Sequence, residues 1–384
     1  MGNGSSVRNL GQSLARFSRW STRALTCGSS SVVRSRDGSS DVDYEDHLRR
    51  LGTANDRMKQ YWKNDGCPKA KLKHFRNLGC LARGTFGIVH KVQHLRTRKE
   101  FALKRQFKEI LRRKNNQTRP GVERRLQWAA KNRFIVGLEY AFQDSQNLYL
   151  VMEYAPYGDL AEAVSRSPLP EKQTRLASAQ IVLGLEFLFA SGICHRDLKP
   201  LNIFIFERGI LKIGDFGLAK AMKKGELTHT MLGTERYMAP EMFSSMGYGT
   251  AIDLWALGVL IFECLYDENP FTDEQRKQLQ CKEPDRKVSP GFPSDVPRDS
   301  PNRDFLCGLL ELDPKRRLGV GGQDFRALKE HAFFRGISFE RVYSHELTIN
   351  VRVEPVKPKE PTQEDREWPQ FDDNYDPEEF PLFD

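Results

Sequence analysis

Three short runs hold side chains of the kind that do chemistry: His195-Arg196-Asp197-Leu198-Lys199-Pro200-Leu201-Asn202, Asp215-Phe216-Gly217 and Ala239-Pro240-Glu241. Upstream stand Gly84-Thr85-Phe86-Gly87-Ile88-Val89, on a predicted strand–turn–strand, and Lys104, at the end of an apolar strand. Glycines in such a hairpin let backbone amides approach phosphate oxygens with no Cβ in the way. Each feature alone has an ordinary reading. The hairpin is then a plain turn, the lysine a solvated strand end, and the acids members of surface ion pairs. Their joint order and spacing require one explanation for all of them.

The ordered set resembles the motifs of protein kinases, over residues 70–335. That resemblance implies an α+β, two-lobed fold and an ATP-dependent serine/threonine phosphotransferase using MgATP on protein hydroxyls. Phosphoryl transfer needs the γ-phosphoryl group aligned with its acceptor and its charge neutralised. By resemblance, Lys104 binds the α/β-phosphates and is held by Glu123 on the next helix. Asp215 and Asn202 hold Mg²⁺, a hard cation suited to oxygen ligands. Asp197 accepts or orients the hydroxyl proton, and Lys199 stabilises charge on the transferred group. Leu81, Ala82, Arg83, Gly84, Thr85, Phe86, Gly87, Val89 and Ala102 would line the nucleotide cleft with Lys104. After Met152, backbone groups of Glu153 and Ala155 would bond the adenine edge, and Asp159 would meet the ribose. Lys199 and Thr234 resemble serine/threonine rather than tyrosine kinases. Asp253 and a Glu241–Arg317 pair are assigned to scaffolding. The alternative is a pseudokinase-type scaffold that binds partners without catalysis.

The elements around these residues fit that reading. Strand patterns run from Phe75 to Leu103, with further strands at Ile135–Phe142 and Leu148–Glu153. Pro120 opens a helix that reaches about Lys131. From Leu160 the pattern turns helical, and residues 177–190 and Ile252–Leu265 are apolar nearly all round, as buried helices are. The predicted organisation is a disordered basic leader at 1–42, then a helix and linker at 43–70 with Leu48, Leu51, Met58 and Trp62 apolar. A kinase domain follows at 71–334, its small lobe at 71–153 and its large lobe at 159–334, and then a tail at 335–384.

The flanks narrow the resemblance. A terminal Phe380-Pro381-Leu382-Phe383 resembles the hydrophobic motif of AGC-group kinases, which docks on the small lobe. Phe371-Asp372-Asp373-Asn374-Tyr375 resembles their nucleotide-touching tail segment. The amino-terminal run and the Trp62 helix resemble the catalytic subunit of cyclic-AMP-dependent protein kinase. Thr230 matches the activation-loop phosphothreonine of the group, which implies an upstream kinase, with Arg196, Lys220 and Arg119 as cationic partners. Departures are informative too. Ala82 replaces the first loop glycine, and Tyr157 replaces a glycine after the hinge. Leu201 and Arg236 stand where the cyclic-AMP-dependent relatives have acids that bind substrate arginines, leaving Asp159 and Glu263. Like charge opposing a substrate arginine penalises it, so a weakened arginine preference is expected. His229 replaces an aromatic by which those relatives grip regulatory subunits, so control by cyclic AMP is not expected.

Charge is polarised along the chain. Net charge is +9 over 384 residues, yet residues 1–40 carry six arginines against one aspartate and residues 360–384 carry ten carboxylates against one arginine. Basic charge without a recognition motif does not imply nucleic acid, and none is expected as a partner. Met1-Gly2-Asn3-Gly4-Ser5-Ser6 fits N-myristoylation of Gly2; the six arginines and acylation of Cys27 would add to membrane attachment. The alternative is an unmodified leader. Expected localisation is cytoplasmic, with association to the inner membrane leaflet. Seven cysteines without paired spacing read as reduced thiols.

Overall fold

The computed structural model describes residues 39–63, 66–84, 86–113, 120–166, 168–281, 288–320, 324–350, 354–359 and 380–383. Gly2, Cys27, Thr85, Arg119, Phe371 and Tyr375, each singled out in the sequence, lie outside them.

Helix α1 (Ser39–Lys63) precedes five strands and two helices: β1 (Phe75–Gly84), β2 (Gly87–His94), β3 (Glu100–Phe107), α2 (Lys108–Arg113), α3 (Pro120–Ala129), β4 (Leu138–Gln143) and β5 (Asn147–Glu153). The strands form one antiparallel sheet in the order β1-β2-β3-β5-β4. Because side chains alternate across a strand, the sheet divides its apolar residues between two clusters. Leu72, Phe75, Val92, Phe101, Leu103 and Tyr149 belong to one. Trp128, Leu138, Ala141, Leu148 and Leu150 belong to the other, together with Phe383 from the far end of the chain, only 2% exposed. Phe380 packs beside them, and Gln143 donates to its carbonyl at 3.2 Å.

The large lobe follows with α4 (Leu160–Arg166), α5 (Glu171–Ala190), β6 (Ile193–Cys194), β7 (Ile203–Phe206), β8 (Ile210–Ile213) and β9 (Lys220–Ala221). Then come α6 (Ile252–Tyr266), α7 (Asp273–Leu279), α8 (Pro301–Leu309), α9 (Asp324–Glu330) and α10 (Phe339–Tyr343). Helices α5 and α6 are buried along most of their length, which accounts for their apolar composition on every face. Among the described residues no helix is long and apolar enough to cross a membrane. The described cysteines are all free thiols, four of the six buried.

Two boundaries and one helix face differ from the sequence reading. Helix α1 begins at Ser39, inside the segment expected to be a leader. Its buried stripe runs through Tyr44, His47, Leu51, Ala54, Met58 and Tyr61, a spacing that keeps one face inward, whereas Leu48 is one position off that stripe and 47% exposed. Strand β4 begins at Leu138, not Ile135. Ile135 instead bridges to Ile213 of the large lobe, and Val136 donates to the Ile213 carbonyl at 2.9 Å, so this stretch joins the lobes.

The link between lobes is also stitched by the tail. Val356 N–H donates to the Pro156 carbonyl at 2.8 Å, and three residues on Lys359 pairs with Cys80 of β1 in both directions, at 3.0 and 3.2 Å.

Candidate active site

Strand register sets the roof of the cleft. Val89 pairs with Lys104, Lys104 with Leu150, and Ala102 with Met152, so these side chains share one face of the sheet. Ala82 pairs with Val89 at the open end of β1. Gly87 sits where a Cβ would collide with the backbone carbonyl of Arg105, so no other residue fits this corner of the hairpin.

Lys104 is the meeting point of three elements. Its Nζ donates to Glu123 Oε1 of α3 at 2.7 Å and to Asp215 Oδ1 at 3.0 Å. Glu123 is 2% exposed, and its second oxygen accepts from Gln106 at 3.1 Å. Gln106 was not singled out from the sequence, although its place two residues beyond Lys104 puts it on the same strand face. Burial disfavours charge on Lys104, but the Asp215 and Glu123 carboxylates outweigh it and raise the pKa above the ordinary lysine range. The Lys104 ammonium in turn holds the Asp215 carboxyl down at about 2, against the opposing effect of burial.

Asp215 adopts a left-handed backbone, φ 56° and ψ 80°. Phe216 anchors that turn, fully buried with its ring edge against His195 at 5.4 Å. His195 and Arg196 are fixed from below, since Asp253, 1% exposed, accepts both of their backbone N–H groups at 2.7 and 2.9 Å. Arg317, wholly buried, grips Glu241 with two bonds of 2.6 and 3.0 Å.

On the floor, Asp197 accepts from Lys199 Nζ at 2.8 Å and from the Thr234 hydroxyl at 2.7 Å, and Lys199 also donates to Thr234 Oγ1 at 2.7 Å. Asn202 gives its amide nitrogen to the Asp197 carbonyl at 2.7 Å, which leaves Oδ1 as the oxygen for a ligand. The N–H of Gly214 donates to the Asn202 carbonyl at 2.9 Å, bringing Asp215 beside Asn202. Among the described residues no group of three or more acids, histidines and cysteines could hold a metal unaided. Two hard oxygen donors fit a small divalent cation whose other ligands are phosphate and water.

Glu153 donates its N–H to the Gly137 carbonyl at 3.0 Å, and its carboxylate is held by Lys212 at 2.8 Å, which fixes the strand end at the link between lobes. One sequence expectation is corrected here. Glu263 does not stand open: Tyr237 donates to one oxygen at 2.5 Å and Arg236 lies 3.3 Å from the other. The sequence shows both acid and cation but not that they meet.

Thr230 is exposed, and its carbonyl accepts from the Tyr248 hydroxyl at 2.5 Å. Of its expected cationic partners, Arg196 donates to the Leu218 carbonyl at 2.6 Å and Lys220 lies 3.1 Å from Glu226. Asp159 accepts from the Glu162 N–H at 3.0 Å at the start of α4, and burial raises its pKa.

Comparison with known proteins agrees with this geometry. The family model described as protein kinase domain matches residues 75–334. The chain is 34% identical over 315 residues to RAC-beta serine/threonine-protein kinase B of Xenopus laevis, covering 81% of this chain and 62% of that protein. Against RAC-beta serine/threonine-protein kinase of Homo sapiens it is 31% identical over 366 residues, covering 92% and 71%. Against protein kinase C of Aspergillus fumigatus it is 34% identical over 282 residues, covering 72% and 25%. The chain thus spans 62% of the length of the frog relative.

Proposed function

The chain belongs to the protein kinase family, in its AGC group, and from that premise we propose that it transfers the γ-phosphate of MgATP to serine and threonine hydroxyls of proteins. One observation carries this reading: Lys104 reaches Glu123 and Asp215 together, at 2.7 and 3.0 Å, which joins roof, helix and floor into one arrangement. A phosphate-binding lysine is useful only when held where the phosphates lie, and both carboxylates do that here.

Asp215 and Asn202 would hold Mg²⁺, which would supply positive charge against the nucleotide phosphates. Asp197, fixed by Lys199, Thr234 and Asn202, orients the acceptor hydroxyl and takes its proton. Lys199 stands beside that carboxylate with its charge available to the transferring group. The Thr234 hydroxyl, bonded to both, holds their spacing. Docking of Phe380 and Phe383 on the small lobe, next to the helix that bears Glu123, supports the AGC-type tail reading. The exposure of Thr230 supports its reading as an activation-loop phosphosite that an upstream kinase would modify.

The test is transfer of labelled phosphate from ATP to a mixed protein substrate. Asp197→Ala is expected to lower the rate by roughly 10³-fold while leaving the melting temperature within a few degrees. Transfer equal to wild type in that variant would end the reading.

A further inference from the structure

Arg236 and Leu201 flank the floor of the cleft. Arg236 lies two residues past Thr234, whose hydroxyl is 2.7 Å from Asp197, and Leu201 immediately precedes Asn202, whose amide holds Asp197. Both side chains are more than half exposed, at 56% and 55%. An extended peptide advances roughly 3.3–3.6 Å per residue. A peptide whose hydroxyl reaches Asp197 therefore passes these two side chains within its nearest few residues.

Of the two acids left for a basic peptide, Asp159 accepts from the Glu162 N–H at 3.0 Å at the start of α4, and the one beside Arg236 is Glu263 on α6, its side chain only 13% exposed. Each of its oxygens is already used, one by the Tyr237 hydroxyl at 2.5 Å and one by Arg236 at 3.3 Å. Glu235, the acid immediately before Arg236 in the chain, accepts from Gln280 at 2.7 Å. The rim therefore presents to an incoming chain a guanidinium whose counter-charge lies behind it, and a bare leucine. An arginine arriving there meets a like charge and would have to displace Arg236 to reach Glu263.

Building on the phosphotransfer reading, we propose that Arg236 acts as an internal occupant of Glu263 and, with Leu201, makes this site select hydroxyl-bearing peptides whose neighbouring residues are apolar or acidic rather than arginine. The apolar flank packs on Leu201, which would otherwise stay in water. An acidic flank meets the outward side of the Arg236 guanidinium, whose five donors exceed what one carboxylate oxygen uses.

The experiment uses the full chain and a set of peptides that carry arginine, leucine or glutamate at each of the three positions before and after a single serine. Wild type is expected to favour leucine or glutamate over arginine by about tenfold in kcat/KM at one or more of these positions, the scale of one charge-assisted hydrogen bond. Arg236→Ala uncovers Glu263 and should move that ratio toward arginine by a similar factor, mainly through KM. Adding Glu263→Gln to Arg236→Ala should remove the gain, and Leu201→Glu should raise tolerance of arginine by itself. Preference for arginine in wild type, or a ratio unchanged within twofold in Arg236→Ala, overturns the proposal while leaving phosphotransfer standing. If wild type labels none of the peptides and no protein in the mixed substrate, both fall together.

Discussion

The two lobes are built on different terms. The large lobe packs mainly against itself: α6 is buried along most of its length, α5 also receives α1 on one side, and Asp253 and Arg317 tie its loops to that core. The small lobe borrows. One of its two apolar clusters takes in Phe383 from the opposite end of the sequence, and Trp128 on α3 lies edge-on to Tyr61 of α1, 6.5 Å between ring centroids. Arg125 covers Trp62 of the same helix at 5.3 Å. What differs is where the support for a catalytic group comes from. Asp197 is held by groups within its own lobe, whereas Glu123 sits on a short helix backed by α1 from about sixty residues upstream and by Phe383 from 260 residues downstream. Damage to the large lobe should therefore cost the fold, and damage to the supports of the small lobe should cost the alignment of Lys104 and Glu123.

The strongest break of that contrast is Arg317→Ala. It leaves Glu241 buried without its partner and should destabilise the chain by about 3–5 kcal/mol, read as a lower denaturant midpoint for all probes at once. Phe383→Ala comes next. It should cost about 3 kcal/mol, confined to the small lobe, with slower phosphate transfer and faster amide exchange in α3 and β4 while α5 and α6 keep their protection. Equal loss of protection in both lobes would show that the contrast is wrong.

A smaller effect sharpens how α1 is fastened. Glu186 accepts from Lys329 at 2.6 Å and lies 3.2 Å from His47, whose side chain is wholly buried. Burial works against its charge, but His47 and Lys329 prevail and lower its pKa below the ordinary 4.5. A carboxyl with a depressed folded pKa contributes stability that is present above its unfolded value and lost as pH falls through the folded one. Glu186→Gln should therefore cost about 1–3 kcal/mol at neutral pH, and the gap from wild type should close on acidification below pH 4.5, followed by proteolysis of α1. The smallest expected effect is Leu48→Ala, within about 0.5 kcal/mol, because that side chain is largely in water.

What was legible in the sequence follows from distance along the chain. Asp197, Lys199 and Asn202 lie within six positions, and the turn that carries them fixes their geometry locally, so their types and spacing identify them. Lys104 and Glu123 were legible because a strand and the following helix place them in a standard relation. Contacts that join remote positions were not. The Arg236–Glu263 pair spans 27 residues along the chain by way of a helix packing, and the cluster of His47, Glu186 and Lys329 unites three helices. A lone histidine in an otherwise charged helix gives no sign that it faces inward. Helix α1 misled in the same way, since Leu48 looks more apolar than His47 yet the packing of α5 and α10 selects the other edge.

The short run from Val356 to Lys359 has a mechanical meaning. It is fastened at one end to the carbonyl of Pro156, in the connection between lobes, and at the other to Cys80 on the strand that leads into the phosphate loop. Lifting that strand away from the floor by more than the slack in three residues must therefore unzip the Cys80–Lys359 pair or pull Val356 off Pro156. The breathing of the cleft has a stop set by main-chain hydrogen bonds rather than by any side chain, so point substitutions within this run, short of proline, should leave the stop in place.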